Sequence, residues 1–133
     1  MTRARQCAIV IGYRRLNMTQ SAAISDLMKK HCQACKPGTP PVEDARVRAI
    51  LKDLPGWELA NKEISKTYNF KNYYETLAFV NATAWISHKE DHHPDLEVGY
   101  NKCKVRYSTH SIGGISENDL ICAAKVENLF VPS

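Results

Sequence analysis

Apolar residues after position 41 fall into short blocks whose spacing switches between the helical and the strand period. Val47, Ile50, Leu51 and Leu54 recur at helical spacing, after the Pro-rich loop Lys36 to Pro41 and before Pro55-Gly56, which ends that helix. Trp57 to Leu59 is a short strand, Asn61-Lys62 a turn, and Ile64 to Phe70 a second strand with Ile64, the Lys66 stem, Tyr68 and Phe70 on one face. Asn72 caps the longest helix, which runs to about Lys89 and carries Tyr73, Leu77, Val80, Ala84 and His88 along one side. Val98 to Tyr100 and Cys103 to Thr109 form two more strands, with Cys103, Val105 and Tyr107 on one face and Lys104, Arg106 and Ser108 on the other. After the loop Ser111 to Gly114, Ser116 and Asp119 have capping-box spacing and open a last helix lined by Leu120, Ala123, Ala124 and Leu129. The order is α-β-β-α-β-β-α. Closely spaced strand pairs favour antiparallel hairpins, so the fold class is α+β.

Length and composition add one domain of ordinary globular character: 133 residues, 44% hydrophobic and 24% charged. Residues 31–133 are expected to form that domain and residues 1–30 a weakly ordered extension. The formal charge of +4 is unevenly placed. Six Lys or Arg and one acid, Asp26, lie in residues 1–30, while the remainder holds 12 basic and 13 acidic residues. A body so close to neutral argues against a nucleic-acid partner. No apolar run reaches the roughly 20 residues that span a bilayer, so no membrane partner is expected either. Residues 1–17 are read as an extension preceding Met18 as an alternative start, in preference to an organelle-targeting peptide. Five cysteines, an odd number with no secretory signal, point to free thiols in a reducing compartment and hence to the cytoplasm.

Chemistry concentrates in three of the five histidines: His92 and His93, just before Pro94, and His110 after Thr109. Imidazole exchanges protons near neutral pH, with an unperturbed pKa of roughly 6.5. A hairpin between the two positions would bring His110 back beside the pair, making an acid–base site for a small polar molecule. In an extended segment His92 and His93 face opposite sides, so one could serve a pocket while the other packs. Asp119 is first of all a helix-capping acid, and it can also orient a histidine. His31-Cys32 to Cys35 contains one CxxC, without the second pair that a structural zinc would need, and no metal is assigned. No Gly-rich phosphate loop or Gly-x-Ser-x-Gly elbow is present. Trp57 and Trp85 are expected in the core, with Trp57 able to border a flat heterocycle.

Several blocks together resemble the pterin-4a-carbinolamine dehydratases. They are Asp91 to Asp95, Tyr100 to Lys102, Ser108 to His110 and Gly114 to Asp119, with Leu54 to Trp57 and Tyr68 to Tyr73 upstream. The resemblance covers about residues 42–129. It implies a four-stranded antiparallel sheet with three helices packed on one face, and a homodimer or homotetramer. It also implies the reaction, loss of water from 4a-hydroxytetrahydropterin to give quinonoid dihydropterin. That reaction belongs to tetrahydrobiopterin recycling beside the aromatic amino acid hydroxylases, with pterin as substrate and no cofactor. By resemblance His92, His93 and His110 carry catalysis with Asp119 tuning a histidine, and His110 leads proton transfer with His92 as its partner. Pterin would be held by the same histidines together with Pro94, Thr109, Ser111, Ile112 and Trp57. The sequence departs from the family at Leu96, where tryptophan is frequent, at His88, where glutamate is common, and at Ser111, often acidic. The alternative is a non-catalytic dimerisation or assembly partner built on the same fold.

Overall fold

The computed structural model describes residues 22–130. Eight main elements follow one another: α1 (Ala22–Lys29), α2 (Asp44–Leu51), β1 (Glu58–Ala60), β2 (Glu63–Asn69), α3 (Tyr73–Glu90), β3 (Asp95–Val98), β4 (Lys102–Tyr107) and α4 (Glu117–Asn128). The strands form one sheet in the order β1-β2-β4-β3, and every pairing is antiparallel. The α+β class and the four-stranded antiparallel sheet are therefore as expected. The helix count is four, because α1 precedes the three read from the sequence.

Strand periodicity decides which face of the sheet is covered. Ile64 and Tyr68 on β2 and Cys103, Val105 and Tyr107 on β4 are all buried, alternating with the more open Ser65, Thr67, Lys104 and Arg106. Registers such as Ile64 opposite Tyr107 and Tyr68 opposite Cys103 align the apolar rows of the two central strands. The other face, carrying Asp95, Glu97, Lys104 and Arg106 across β3 and β4, stays open. Asn61 and Lys62 both take positive φ, which makes the tight β1–β2 connection. Gly114 cannot carry a side chain, since a Cβ there would meet the Pro41 ring at 2.9 Å.

Three sequence expectations change. Residues 22–29, placed in the weakly ordered extension, form a helix packed on α4, with Ile24 2% exposed and Leu27 also buried. Ile24, Leu27 and Met28 recur at helical spacing, a stripe too short to stand out beside the basic residues around it. The extension and alternative start expected within residues 1–21 lie outside the described residues. Second, α3 buries Thr76, Phe79, Thr83 and Glu90. The apolar stripe chosen from the sequence lies largely outward: Tyr73, Ala84 and His88 are exposed, and Trp85, expected in the core, is 63% exposed. The two threonines satisfy their own hydroxyls, Thr76 on the Asn72 and Tyr100 carbonyls and Thr83 on the Val80 carbonyl, so they bury at little cost. Third, β3 begins at Asp95, leaving Tyr100 in the turn, and α4 ends before Leu129, which is exposed.

Two partly buried ion pairs fasten α4 to the rest. Near its end Glu127 accepts hydrogen bonds from Lys66 Nζ (2.8 Å), Trp57 Nε1 (3.2 Å) and the Tyr68 hydroxyl (2.5 Å). On its flank Lys125 Nζ lies 2.7 Å from Glu90, whose carboxylate also receives the Cys32 N–H (2.9 Å) and pairs with His31 Nδ1 (3.1 Å). Burial alone would raise the Glu90 pKa. The bonds from Lys125, the Cys32 backbone and His31 outweigh it and lower the pKa from 4.5 to about 2.

A carboxyl whose folded pKa is depressed stabilises the fold above its unfolded value and loses that contribution as pH falls. The chain should therefore lose about 3 kcal/mol through this group alone as pH drops from about 4.5 to about 2. Urea unfolding of the wild type and Glu90→Gln across that range is the check. The variant should be less stable at pH 7 and show a flatter acid limb, and parallel curves would refute this account.

Candidate active site

Helix α3 stops at Asp91, whose left-handed backbone (φ 50°) redirects the chain. Pro94 then holds His93 extended, so His92 and His93 lead directly into β3. At the other end of the hairpin β4 runs out through Ser108 to Thr109, which bridges back to Gly114. The single 3-10 turn His110–Ile112 closes that loop. Because β3 pairs with β4 in antiparallel register, the start of one strand lies beside the end of the other, which brings the two histidine loops together.

They share a pocket of about 200 Å³ lined by His92, His93, Asp95, Arg106, Ser108, Thr109 and His110. His92 is half-buried, whereas His93 and His110 are exposed. The His92 ring stacks on the buried Tyr107 ring, with centroids 5.9 Å apart and planes 15° from parallel. Its Nε2 lies 2.6 Å from Asp119 Oδ1. Asp119 is fully buried, and its second oxygen accepts from the Thr109 hydroxyl (2.8 Å) and the Ser116 backbone N–H (2.9 Å). The carboxylate therefore completes the capping box of α4 and holds a histidine at the same time. An ionised carboxylate only accepts, so His92 donates from Nε2 and Nδ1 is left as its basic nitrogen. Burial and the neighbouring Cys122 and Asp119 keep the Tyr107 phenol protonated well above its ordinary range.

Several expected ligand-holding residues lie elsewhere. Trp57 is buried in the core against Tyr68 and Tyr107 and borders a larger, open hollow of about 440 Å³ with Arg48 and Lys52, which contains no histidine. Its indole N–H is already taken by Glu127, and the ring is not among the residues that line the histidine pocket. Pro94, Ser111 and Ile112 are not among the lining residues. Pro94 sets the backbone at the pocket's edge, and the 3-10 turn carries Ser111 and Ile112 beyond it. Leu96 opposes Val105 in register with the core face, and the His88 ring lies against exposed Trp85, so neither departure from the family pattern falls in the lining.

Asp95, Arg106 and Ser108 do line the pocket and were not singled out from the sequence. The signal was available in the alternation of β4, which puts Arg106 and Ser108 opposite the core residues Val105 and Tyr107. The Arg106 guanidinium is partly balanced by Glu97, 3.0 Å away. Among the described residues no three His, Cys, Asp or Glu side chains are grouped to hold a metal. None of the described helices is long and apolar enough to cross a membrane.

Comparison with known proteins places these features in one class of enzyme, the hydro-lyases that dehydrate a pterin carbinolamine. Residues 40–129 match the family described as pterin 4 alpha carbinolamine dehydratase. A protein of Nitrosospira multiformis named for that dehydratase is 56% identical over 107 residues, covering 80% of this chain and 95% of the relative. One from Nitrosomonas eutropha is 57% identical over 109 residues, covering 81% and 96%. A crystal structure described as a transcriptional coactivator/pterin dehydratase from Brucella melitensis superposes with a TM-score of 0.64 at 28% identity, covering 69% of this chain and 99% of that one. The chain belongs to the pterin 4 alpha carbinolamine dehydratase family.

Replacing Asp119 by Asn tests the His92 contact directly. An amide keeping its oxygen toward Thr109 and the Ser116 N–H would turn its NH₂ toward His92. The His92 proton should then move from Nε2 to Nδ1, visible in the 15N shifts of the imidazole, with a loss of about 1–3 kcal/mol in stability. An unchanged tautomer would show that Asp119 does not set it.

Proposed function

We propose that this chain dehydrates a 4a-hydroxytetrahydropterin to the quinonoid dihydropterin by histidine general acid–base catalysis. We place the reaction in the cytoplasm, in the recycling of tetrahydrobiopterin oxidised by aromatic amino acid hydroxylases. One observation carries the proposal: three imidazoles share a single pocket, and one of them is held by a buried carboxylate. Breaking the carbon–oxygen bond of the carbinolamine needs a proton for the departing hydroxide. Forming the C=N bond needs a base for the adjacent ring N–H. Both steps are proton transfers, so the chemistry calls for no metal or organic cofactor, and each positioned group typically contributes about 10²–10⁴-fold.

His110 leads the proton transfer, and His92, fixed through Nε2, is its partner. His93 faces the same pocket and holds the pterin, with Thr109 between the two loops. Asp119 acts on His92 without touching the ligand. Arg106 and Asp95 on the open sheet face offer a donor and an acceptor to the polar edge of the pterin. Turnover of freshly generated 4a-hydroxytetrahydropterin is the test. His110→Ala should lower kcat by about 10²–10⁴-fold with the fold intact. A variant that dehydrates at the wild-type rate would remove His110 from the mechanism.

We also propose that the chain works as a homodimer or homotetramer. Tyr73, Tyr74 and Trp85 expose large aromatic surface on α3, and Val98 and Tyr100 do so at the β3 edge. A second copy of the chain is the occupant we assign to this aromatic face, since most oligomers are closed assemblies of identical subunits. The same surfaces favour the second reading, an assembly role on this fold without catalysis, which an oligomer devoid of dehydratase activity would support. Light scattering of Trp85→Glu should give a smaller particle than the wild type at micromolar concentration. An unchanged mass would mean that the α3 face is not an interface.

A further inference from the structure

The strap between α1 and the loop at 36–41 brings the Cys32 sulfur to 3.6 Å from that of Cys122, 90 residues away on α4. Cys122 is fully buried, and Cys32 is partly open. Backbone anchors hold this contact from both sides. The Cys32 N–H donates to Glu90 (2.9 Å), the Gln33 N–H to Asn118 Oδ1 (3.0 Å), and Asn118 Nδ2 to the Gln33 carbonyl (2.6 Å). A disulfide needs about 2.05 Å between sulfurs, so closure requires an approach of roughly 1.5 Å. Cys35 is engaged differently, its sulfur meeting Asn118 Nδ2 at 3.8 Å. None of these thiols enters the proposed dehydration.

We propose that Cys32 and Cys122 are an oxidisable pair that a hydroperoxide closes into an intramolecular disulfide and a thiol reductant reopens. Exposure assigns the order of events. The Cys32 thiolate attacks one oxygen of the hydroperoxide: an S–O bond forms, the O–O bond breaks, and the departing alkoxide takes up a proton as an alcohol. The Cys122 sulfur then attacks the Cys32 sulfenic acid. The S–S bond forms, the S–O bond breaks, and hydroxide leaves as water with the proton from Cys122. Two thiols are oxidised by two electrons, and the peroxide is reduced to alcohol and water. The contact with Cys32, together with burial, pushes the Cys122 thiol far above its ordinary range, which agrees with the more open Cys32 reacting first.

Cys122 lies one turn beyond Asp119, so the bridge would tie the strap to the helix turn that holds His92. The full chain treated with tert-butyl hydroperoxide, in a Cys7→Ser background, provides the test. Non-reducing peptide mapping should find Cys32 joined to Cys122, with loss of two hydrogens and recovery by dithiothreitol. Closing so long a loop should raise Tm by about 10 °C. Cys35→Ser should still form the bridge. Cys122→Ala should lose it and leave a Cys32 sulfenic acid that dimedone traps. A Cys32–Cys35 link, a bridge between chains, or unmodified cysteines in the folded protein would each overturn the proposal.

Discussion

A single buried carboxylate ties this fold to its site. Asp119 has no exposure, and a charge so placed persists only where donors replace the water it lost. Ser116 supplies a backbone N–H, Thr109 a hydroxyl and His92 a ring nitrogen. Those donors come from the cap of α4, the end of β4 and the exit of α3. Satisfying one charge therefore fixes three elements relative to one another. The geometry of the pocket follows, because His92 is part of that satisfaction and His110 begins on the residue after Thr109.

Antiparallel pairing does the remaining positioning. With β4 at the centre of the sheet and β3 at its edge, the residues before β3 and after β4 are neighbours, though separated by the whole hairpin. The covered face uses Val105 and Tyr107, so alternation turns Arg106 and Ser108 to the open side where a ligand can reach them. Tyr107 serves both faces of the problem. Its ring is core packing on Trp57 and also the plate on which His92 lies.

Much of this was legible in the sequence, and the failures share a physical cause. Asn72 as a cap, the Asn61-Lys62 turn and the capping box at Ser116 are local signals, and each is where it is expected, whereas α2 already ends at Leu51, ahead of Pro55-Gly56. The buried face of α3 departs from its apolar stripe because hydrophobicity alone does not decide burial. Thr76 and Thr83 bury by bonding their hydroxyls to backbone carbonyls, while Tyr73 and Trp85 remain outside. Helix α1 is not legible in the sequence because its stability is tertiary. A stretch of 8 residues does not hold a helix alone, and Ile24 and Leu27 become informative only once α4 is there to cover them. The histidines stand out because their chemistry is rare. Arg106 and Asp95 do not stand out, because a charge on an open strand face usually means only solvent.

The same tertiary dependence explains why the N-terminal strap belongs to the domain. Glu90 closes α3 with its carboxylate buried, and of the donors that satisfy it Lys125 comes from α4 while His31 and Cys32 come from the strap. Were the strap to leave, Glu90 would keep Lys125 but lose the Cys32 N–H, and Cys122 would lose its cover. Both losses fall on the helices that frame Asp119. A segment of that kind is not an appendage to a pre-formed fold. It supplies hydrogen bonds that a buried charge cannot do without, and so it holds in place, from behind, the carboxylate against which His92 is set.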